Sequence, residues 1–325
     1  MTKGLPAIAP RRARRGSQRC AAAVRLLAAI ALGLCTLVAG GKAPPATFEG
    51  TVSFAEGDPF TIIRHDLLLS GSKGVVLAAG DLLETAPNAF LVVQEPDGSL
   101  IGVGPSTQVY FVDRGDDRTL FVLKGWIKAD TKAAPTRVLG TRLGLQGHQA
   151  VMLLYASEQS SAAYDEQGTV TVLLPDAGAA PTVREPGSNH FFAREGRFDV
   201  RAQLSPSAEF VKQMPVAFRD PLPAFQKLPQ PVPPQRLRPV GYADIQDWLT
   251  LPPEWRSGFI GRFRGRLQDP AFFAAMDAHR AQFPEWIPVL HPPPGSDPDR
   301  AREWPQVQAE SAPHRSEPPQ GDQPR

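Results

Sequence analysis

The stretch AAGDLLETAPNAFLVVQEPDGSLIGVG, residues 78–104, decides the fold class of this chain. Short apolar runs alternate in it with a turn-forming residue about every eight positions. Branched and aromatic side chains favour strands, whereas Gly, Asn and Asp tolerate the backbone angles of tight turns. We therefore predict short strands joined by turns, and a scaffold in preference to a catalytic site.

The same pattern extends outward from Phe48 to about Val200. Ten strands are predicted, namely FEGTVSF, FTIIR, GVVLAAG, AFLVVQ, SLIGVG, QVYFV, RTLFVLKG, WIKAD, AVMLLYAS and GTVTVLLP. The predicted turns between them include Gly80-Asp81, Pro87-Asn88, Asp97-Gly98, Gly104-Pro105 and Lys124-Gly125. Such spacing predicts a mainly β domain over residues 48–204, and both a β-solenoid of stacked strands and a β-sandwich satisfy it.

The composition changes near residue 205. SPSAEFVKQM predicts a short helix capped by Ser205, with Pro206 at its first position, that ends at Pro215. Residues 215–239 contain eight prolines, which favour extended backbone. We interpret residues 205–241 as a short helix followed by a stiff strap or linker.

A small helical unit is predicted over residues 242–291. Trp255, Phe259, Phe263 and Leu267 recur every four positions and form one apolar stripe, so the interspersed arginines are expected to be solvated. Asp269-Pro270 predicts the start of a second helix and hence a helical hairpin. Residues 292–325, rich in Pro, Ser, Gln and charge, predict a disordered tail.

The amino terminus has the layout of a secretory signal. RRARR at 11–15 precedes an apolar run at 26–40 that is closed by small residues, and this predicts a signal peptide over 1–41. An uncleaved membrane anchor at 26–40 is the alternative, whereas acylation of Cys35 fits poorly because Leu34 precedes it. The expected location is the periplasm or the medium, with inner-membrane anchoring as the alternative.

Removal of the signal would change the charge and the cysteine content. Residues 1–41 hold seven of the 35 Lys and Arg and none of the 33 Asp and Glu, so the remainder carries 28 against 33, a net charge of −5. A nucleic-acid partner is therefore not expected. Cys20 and Cys35 are the only cysteines, so the exported chain would have no disulfide and no thiolate metal site.

The quoted stretch and its continuation to Val112 resemble the periplasmic domain of FecR-family proteins. The ordered steps of that family correspond here to Gly80-Asp81, Thr85 to Asn88, Asp97-Gly98 and Gly104 to Thr107. The resemblance covers roughly residues 50–200, with Gln146-Gly147-His148 where the family commonly has Arg-Gly-Thr. It implies a β fold, an envelope compartment and contact with another envelope component.

Signalling members of that family carry a helical cytoplasmic domain that handles a sigma factor. Only about 23 residues precede the apolar segment here. We therefore expect a free-standing FecR-like protein without the sigma-regulating domain, and its signalling activity is not carried over.

The sequence offers no constellation typical of catalysis. Its six histidines lack metal-ligand spacing, no phosphate loop or nucleophile elbow is present, and Asp116-Asp117 has the character of a solvated turn. No cofactor or metal is expected. Trp126 is expected to be a core residue in preference to a ligand-stacking one.

One partner contact is predicted. Phe191 and Phe192 are adjacent in a strand and must point to opposite faces, so one of them is expected to be exposed. The function that follows is a non-enzymatic, exported envelope protein that binds a protein or a cell-wall component. The alternatives are a membrane-anchored periplasmic sensor, which alone would contact the membrane, and an enzyme acting on envelope carbohydrate.

Overall fold

The computed structural model describes residues 48–112, 118–132, 134–174 and 189–293, together with the backbone of 181–185. The predicted signal or anchor, Asp116-Asp117 and the tail from residue 294 onward lie outside the described residues. Within that part, the strands are β1 Glu49–Glu56, β2 Phe60–Arg64, β3 Leu67–Gly71, β4 Val76–Ala78, β5 Leu82–Glu84, β6 Phe90–Gln94, β7 Leu100–Val103, β8 Gln108–Phe111, β9 Arg118–Asp130, β10 Thr136–Leu139, β11 Gly144–Ala156, β12 Ser160–Leu173, β13 Pro181–Glu185, β14 His190–Glu195, β15 Arg201–Gln203 and β16 Gln235–Pro239.

Helices occur only after the strand-rich part, as far as the structure describes the chain. They are α1 Ala208–Gln213, α2 Tyr242–Ile245, α3 Pro253–Arg256, α4 Phe259–Phe263, α5 Pro270–Ala278 and α6 Ile287–Leu290. Tight 3-10 turns cover Val216–Phe218, Trp248–Thr250, Arg264–Gln268 and Pro284–Trp286. The mainly β fold with a small carboxy-terminal helical part is confirmed.

All the strands belong to one mixed sheet that folds into two facing layers. The long strands β9, β11 and β12 contribute to both layers, since each pairs with different neighbours along its two halves. Bulges interrupt β11 and β12 at the change of layer. The first layer contains β1, β6, β7, β14 and β15, and the second contains β2, β3, β5, β8, β10 and β16.

The main core lies between these layers. Alternate residues of both layers meet in one buried cluster that includes Val52, Ile62, Val93, Phe111 and Leu154. The period of two in strands brings every second side chain to this interior. The arrangement is that of a sandwich, one of the two architectures that the strand spacing allowed.

The chain's carboxy-terminal part covers the outer faces of both layers. The strap, residues 205–241, packs Phe210, Met214, Phe218 and Leu222 onto the first layer. Residues 242–291, here called the helical cap, pack on the second layer, with residues such as Trp248 and Phe259 against Tyr110 and Phe121 of the sheet. Strap and cap thus bury the apolar side chains that would otherwise face water.

Several local predictions need correction. α1 begins later than expected, because Ser207 and not Ser205 caps it by accepting the N–H of Phe210. RTLFVLKG and WIKAD form the single strand β9 and not two strands. LLLSG at 67–71 is a strand that the sequence reading missed, and the proline-rich strap ends in strand β16, paired with β3.

The apolar stripe of the cap lies on shorter helices than expected, with Phe259 and Phe263 buried on α4. The predicted solvation of its arginines is wrong. Arg262 donates to the backbone oxygens of Gly80 at 2.7 Å, His65 at 2.6 Å and Ile63, and Arg256 pairs with Glu285 at 2.7 Å. Carbonyl groups at the sheet surface require donors, and a long guanidinium side chain supplies them.

Candidate binding site

The two turns that carry the family-like steps are tied together by their threonines. The Thr85 hydroxyl donates to the Gly104 oxygen at 2.6 Å and accepts from the Thr107 N–H at 2.8 Å. Thr107 Oγ1 in turn accepts from the Trp126 N–H at 2.9 Å. Both threonines are buried, at 2% and 0% exposure. Their polar groups are used within the fold, which is the behaviour of a scaffold.

The other predicted turn residues occupy backbone positions that suit their chemistry. Gly80 and Gly98 have φ of 91° and 85°, values that residues with a side chain rarely adopt. The Asp97 carboxylate accepts from the Ser99 N–H at 2.9 Å. Pro87, Asn88 and Pro105 lie in turns.

Asp81 has a role beyond its turn. Its side chain is buried and accepts from Arg64 Nε at 2.8 Å and from a second guanidinium nitrogen of Arg64 at 2.6 Å. The carboxylate also accepts from the Ala78 N–H at 3.0 Å. Such a bidentate pair fixes the turn against β2. The sequence alone did not suggest this ion pair.

Gly125 is not in a turn between two strands, as the sequence suggested, but inside β9. Its φ is 95°, and a Cβ there would lie 2.3 Å from Thr107 Oγ1. The pairing of β8 with β9 shifts register between Gln108 and Val109, as in a bulge. Glycine therefore lets β9 bend without leaving the sheet and leaves room for the threonine.

A surface groove lies beside these tied turns. This turn groove has a volume of about 330 Å³ and is lined by Pro59, Thr61, Glu84, Thr85, Ala86, Pro87, Ser106 and Lys124. Ser106 has a φ of 50°, a conformation uncommon for a residue with a side chain. The turns predicted as scaffold thus form the rim of a groove.

Charged groups of opposite sign stand at the edge of the turn groove. The Gln108 amide nitrogen donates to Glu84 at 3.1 Å and to Asp247 of the cap at 3.2 Å. Lys124 Nζ also donates to Asp247, at 3.2 Å, and both side chains are about half exposed. Gln108 Oε1 is buried without a hydrogen-bond partner among the described residues. The groove can therefore offer an ammonium and a carboxylate to a polar partner, whereas the Gln108 carbonyl stays buried.

A second groove lies at the bulges of β11 and β12. This bulge groove has a volume of about 550 Å³ and is lined by Pro135, Gln146, Gly147, His148, Gln149, Gly168, Thr169 and Thr171. Gln149 and Gly168 have φ of 51° and 92°. The amide and hydroxyl side chains that line it are able to bind a ligand by hydrogen bonds, but no carboxylate lines it. It contains Gln146-Gly147-His148 of β11.

The predicted partner contact at Phe191 and Phe192 is wrong. Their side chains do point to opposite faces, but both are buried, at 4% and 1% exposure. Phe192 lies in the interior cluster, and Phe191 packs on Phe210 of α1 with ring centroids 5.0 Å apart. The strap covers the face that the sequence left open. Trp126 likewise packs against Tyr155 and Phe210, as expected for a core residue.

One buried carboxylate lacks a partner. Asp165 is fully buried, and neither of its oxygens is hydrogen-bonded within the part of the chain that the structure describes. Burial raises its pKa to about 6, whereas His190, at 4.0 Å, lowers it. Asp165 faces the interior beside Ala163 and not a groove, so it belongs to the folding energetics and not to a site.

Among the described residues, no group of three His, Cys, Asp or Glu side chains is placed to hold a metal ion. No helix within the described ranges is long and apolar enough to cross a membrane.

Comparisons with known proteins add little. No protein-family model matches the chain, and no curated protein matches it. Two crystal structures of a candidate anti-sigma factor from Parabacteroides distasonis ATCC 8503 match with a TM-score of 0.34 each, at 15% and 14% identity. Each match covers 40% of this chain and 62% of the other. Likeness at this level carries no conclusion about function.

Proposed function

We propose that this chain is an exported, non-enzymatic, FecR-like envelope protein that binds a protein or cell-wall partner through the turn groove. Export and the family assignment rest on the sequence features at 11–40 and 78–112. The proposed location is the periplasm, and an inner-membrane anchor at 26–40 would alter the attachment but not the groove.

The observation that carries the proposal is the arrangement of the tied turns. The Thr85 hydroxyl fixes two turns to each other, and the Thr107 hydroxyl fixes the second turn to β9. The fixed turns present Pro87 and Ser106 at the surface beside Lys124 of β9. A rigid scaffold with polar groups at its rim lowers the entropy lost on binding. The groove is lined by charged and polar side chains, including Glu84 and Lys124, which favours a polar segment of a larger partner over a small apolar ligand.

The experiment compares two lysines of similar exposure. Lys124, 45% exposed, pairs with Asp247 at the groove, and Lys132, 48% exposed, pairs with Asp130 away from it. The exported chain is assayed by co-sedimentation with purified peptidoglycan and by photo-crosslinking in cells from position 124. We expect Lys124→Glu to weaken binding about tenfold, equivalent to roughly 1.4 kcal/mol.

Lys132→Glu is the matched control and should bind like the parent. Equal binding by both variants and the parent would show that the turn groove is not the binding surface. Absence of any sedimented or crosslinked partner would contradict the binding function itself.

A second candidate function is hydrolysis of envelope carbohydrate. Glu84 and Asp247 accept hydrogen bonds from the same amide of Gln108, so the two carboxylates are close together. Retaining glycosidases use two carboxyl groups about 5–5.5 Å apart. Release of soluble sugar fragments from peptidoglycan by the parent, abolished by both Glu84→Gln and Asp247→Asn, would establish this function and overturn the non-enzymatic proposal.

A further inference from the structure

The two ends of the sheet differ in how they are protected from further pairing. At one end, β16 exposes Arg236 and Arg238, ends in Pro239 and has a register shift between the two arginines. Charged side chains, proline and bulges are the features that discourage pairing at an edge. This end of the sheet is closed to a further strand.

The other end, β15, has none of these blocking features except one charged side chain. Arg201–Gln203 pair with β14 in regular register, and all three residues are exposed. Phe198 and Leu204 flank the strand at 73% and 82% exposure, the two highest values among the large apolar side chains of the described residues. An unprotected edge beside exposed apolar residues is typical of a pairing surface.

The hairpin that presents β15 is already formed. Arg194, 7% exposed, donates through Nε to the Phe198 oxygen at 2.8 Å and through a second nitrogen to the Arg142 oxygen at 2.9 Å. The Phe198 N–H donates to the Glu195 oxygen at 3.1 Å. The edge therefore needs little ordering before it pairs.

We propose that β15 pairs in antiparallel fashion with β15 of a second copy of this chain, about a two-fold axis at Ala202. The sequence FDVRAQLSP, residues 198–206, is symmetric about that residue in its apolar and polar pattern. Val200 packs against the interior cluster, and the period of two places Ala202 and Leu204 on the same face.

In this register the cross-strand neighbours are compatible. Val200 lies opposite Leu204 of the partner subunit, and Ala202 lies opposite Ala202 of the partner subunit. On the other face, Arg201 lies opposite Gln203 of the partner subunit, so no like charges meet. Apolar pairs stabilise a strand pair and like charges oppose it. This self-complementarity, required of an isologous interface, selects a second copy as the occupant.

The pairing surface is short. A stable dimer buries roughly 1,200–2,000 Å² in total, more than one added strand pair of this length supplies. We therefore expect a weak dimer whose population depends on concentration.

A disulfide test uses the full chain expressed with its own amino-terminal segment and with Cys20→Ala and Cys35→Ala, which leave it without thiols. Ala202→Cys then places two thiols across the axis, where directly opposed Cβ atoms are about 4.5–5.5 Å apart. Mild oxidation should yield a covalent dimer at least tenfold faster than for Leu237→Cys, an exposed position on β16; this factor corresponds to about 1.4 kcal/mol.

Sedimentation velocity supplies the second measurement. Leu204→Lys should raise the dimer Kd about tenfold or more, whereas Leu237→Lys should leave it unchanged. Because both leucines are exposed, neither variant should alter the melting temperature. A parent that stays monomeric at every concentration, with Ala202→Cys oxidising no faster than Leu237→Cys, would overturn the proposal. Photo-crosslinking of position 202 in cells to another protein, or to the chain's own tail, would do the same.

Discussion

The two outer faces of the sandwich are covered by neighbouring stretches of one chain, but they are held in different ways. The strap contributes a short helix, proline-rich backbone and four apolar residues buried against the first layer. The cap contributes a larger aromatic cluster that includes Trp248, Trp286 and Phe263. We infer that the strap depends mainly on a few polar attachments, whereas the cap combines the polar attachment of Arg262 with more extensive apolar packing.

Each cover is held by one cation. On the first layer the sheet supplies the cation and the strap supplies the oxygens, whereas on the second layer the cap supplies the cation and the sheet supplies the oxygens. Lys128 of β9 is 1% exposed, donates to the strap oxygens of Phe218 and Asp220 at 3.0 Å each, and pairs with Glu166 at 2.7 Å. On the other face, Arg262 of the cap donates to three sheet oxygens. Removal of either cation should therefore test one face at a time.

The largest effect is expected for Arg262→Ala. Three backbone oxygens would lose their donor, and burial of the guanidinium lowers its pKa to about 10. The free energy of unfolding should fall by about 3–5 kcal/mol in urea denaturation. Arg280→Ala, which removes an exposed arginine paired with Asp277, should change it by less than about 0.5 kcal/mol. A loss as small as the control's would mean that packing alone holds the cap.

The next effect is expected for Lys128→Met, which keeps the volume but removes the charge. Two strap oxygens and Glu166 would lose their partner, at a loss of about 2–4 kcal/mol. Limited proteolysis should cleave residues 205–239 faster while the cap stays resistant. Lys132→Met, at an exposed ion pair, is the control. Cleavage of strap and cap at equal rates would contradict separate attachment.

A smaller effect concerns the interior between the faces. The pKa of Asp165 is raised to about 6 by burial, so the folded state binds its proton more tightly than the unfolded state does. Its contribution to stability is present below about pH 4 and is lost as the pH rises through about 6. Asp165→Asn should remove this dependence, worth about 2 kcal/mol, in urea titrations from pH 4 to 7.5. Asp199→Asn, at an exposed site, is the control and should show the same dependence of stability on pH as the parent. If Asp165→Asn also kept that dependence, Asp165 would not be its source.

The smallest effect is expected for Thr107→Val. The Trp126 N–H would lose its acceptor, the Thr107 hydroxyl, which ties the turn to β9, at a loss of about 1–2 kcal/mol by thermal unfolding. Thr61→Val, a partly exposed position of the same groove, is the control. Equal stability of both variants would mean that the tied turns contribute little to the scaffold.

The strands and turns of the sandwich could be predicted because their signals are local. Alternating apolar runs and positive-φ glycines such as Gly80 and Gly98 act within a few residues of the chain. The turn groove left a weaker signal, since Glu84 and Gln108 are polar residues beside apolar strand positions. Their approach to Asp247 depends on how the cap folds back, which no local pattern records.

The covering of Phe191 illustrates what sequence could not supply. Adjacent phenylalanines correctly indicated two apolar faces, but the partner is Phe210 of the same chain. For the same reason Arg262 was expected in water and lies against sheet carbonyls. Burial of these side chains depends on contacts between residues far apart in sequence. An apolar residue at every fourth position of a helix, or every second position of a strand, indicates an apolar face but not what covers it.

The most direct test is native-state hydrogen exchange of the whole chain in increasing, sub-denaturing urea. Amides of the strap that are hydrogen-bonded should open first, because few apolar contacts hold that segment. Examples are those of Phe225, which donates to the Gln94 side chain, and Val232, which donates to the Gly74 oxygen. Amides of the cap and of β9 should open together at higher urea, with global unfolding. Opening of the cap before the strap would contradict the account of how the two faces are held.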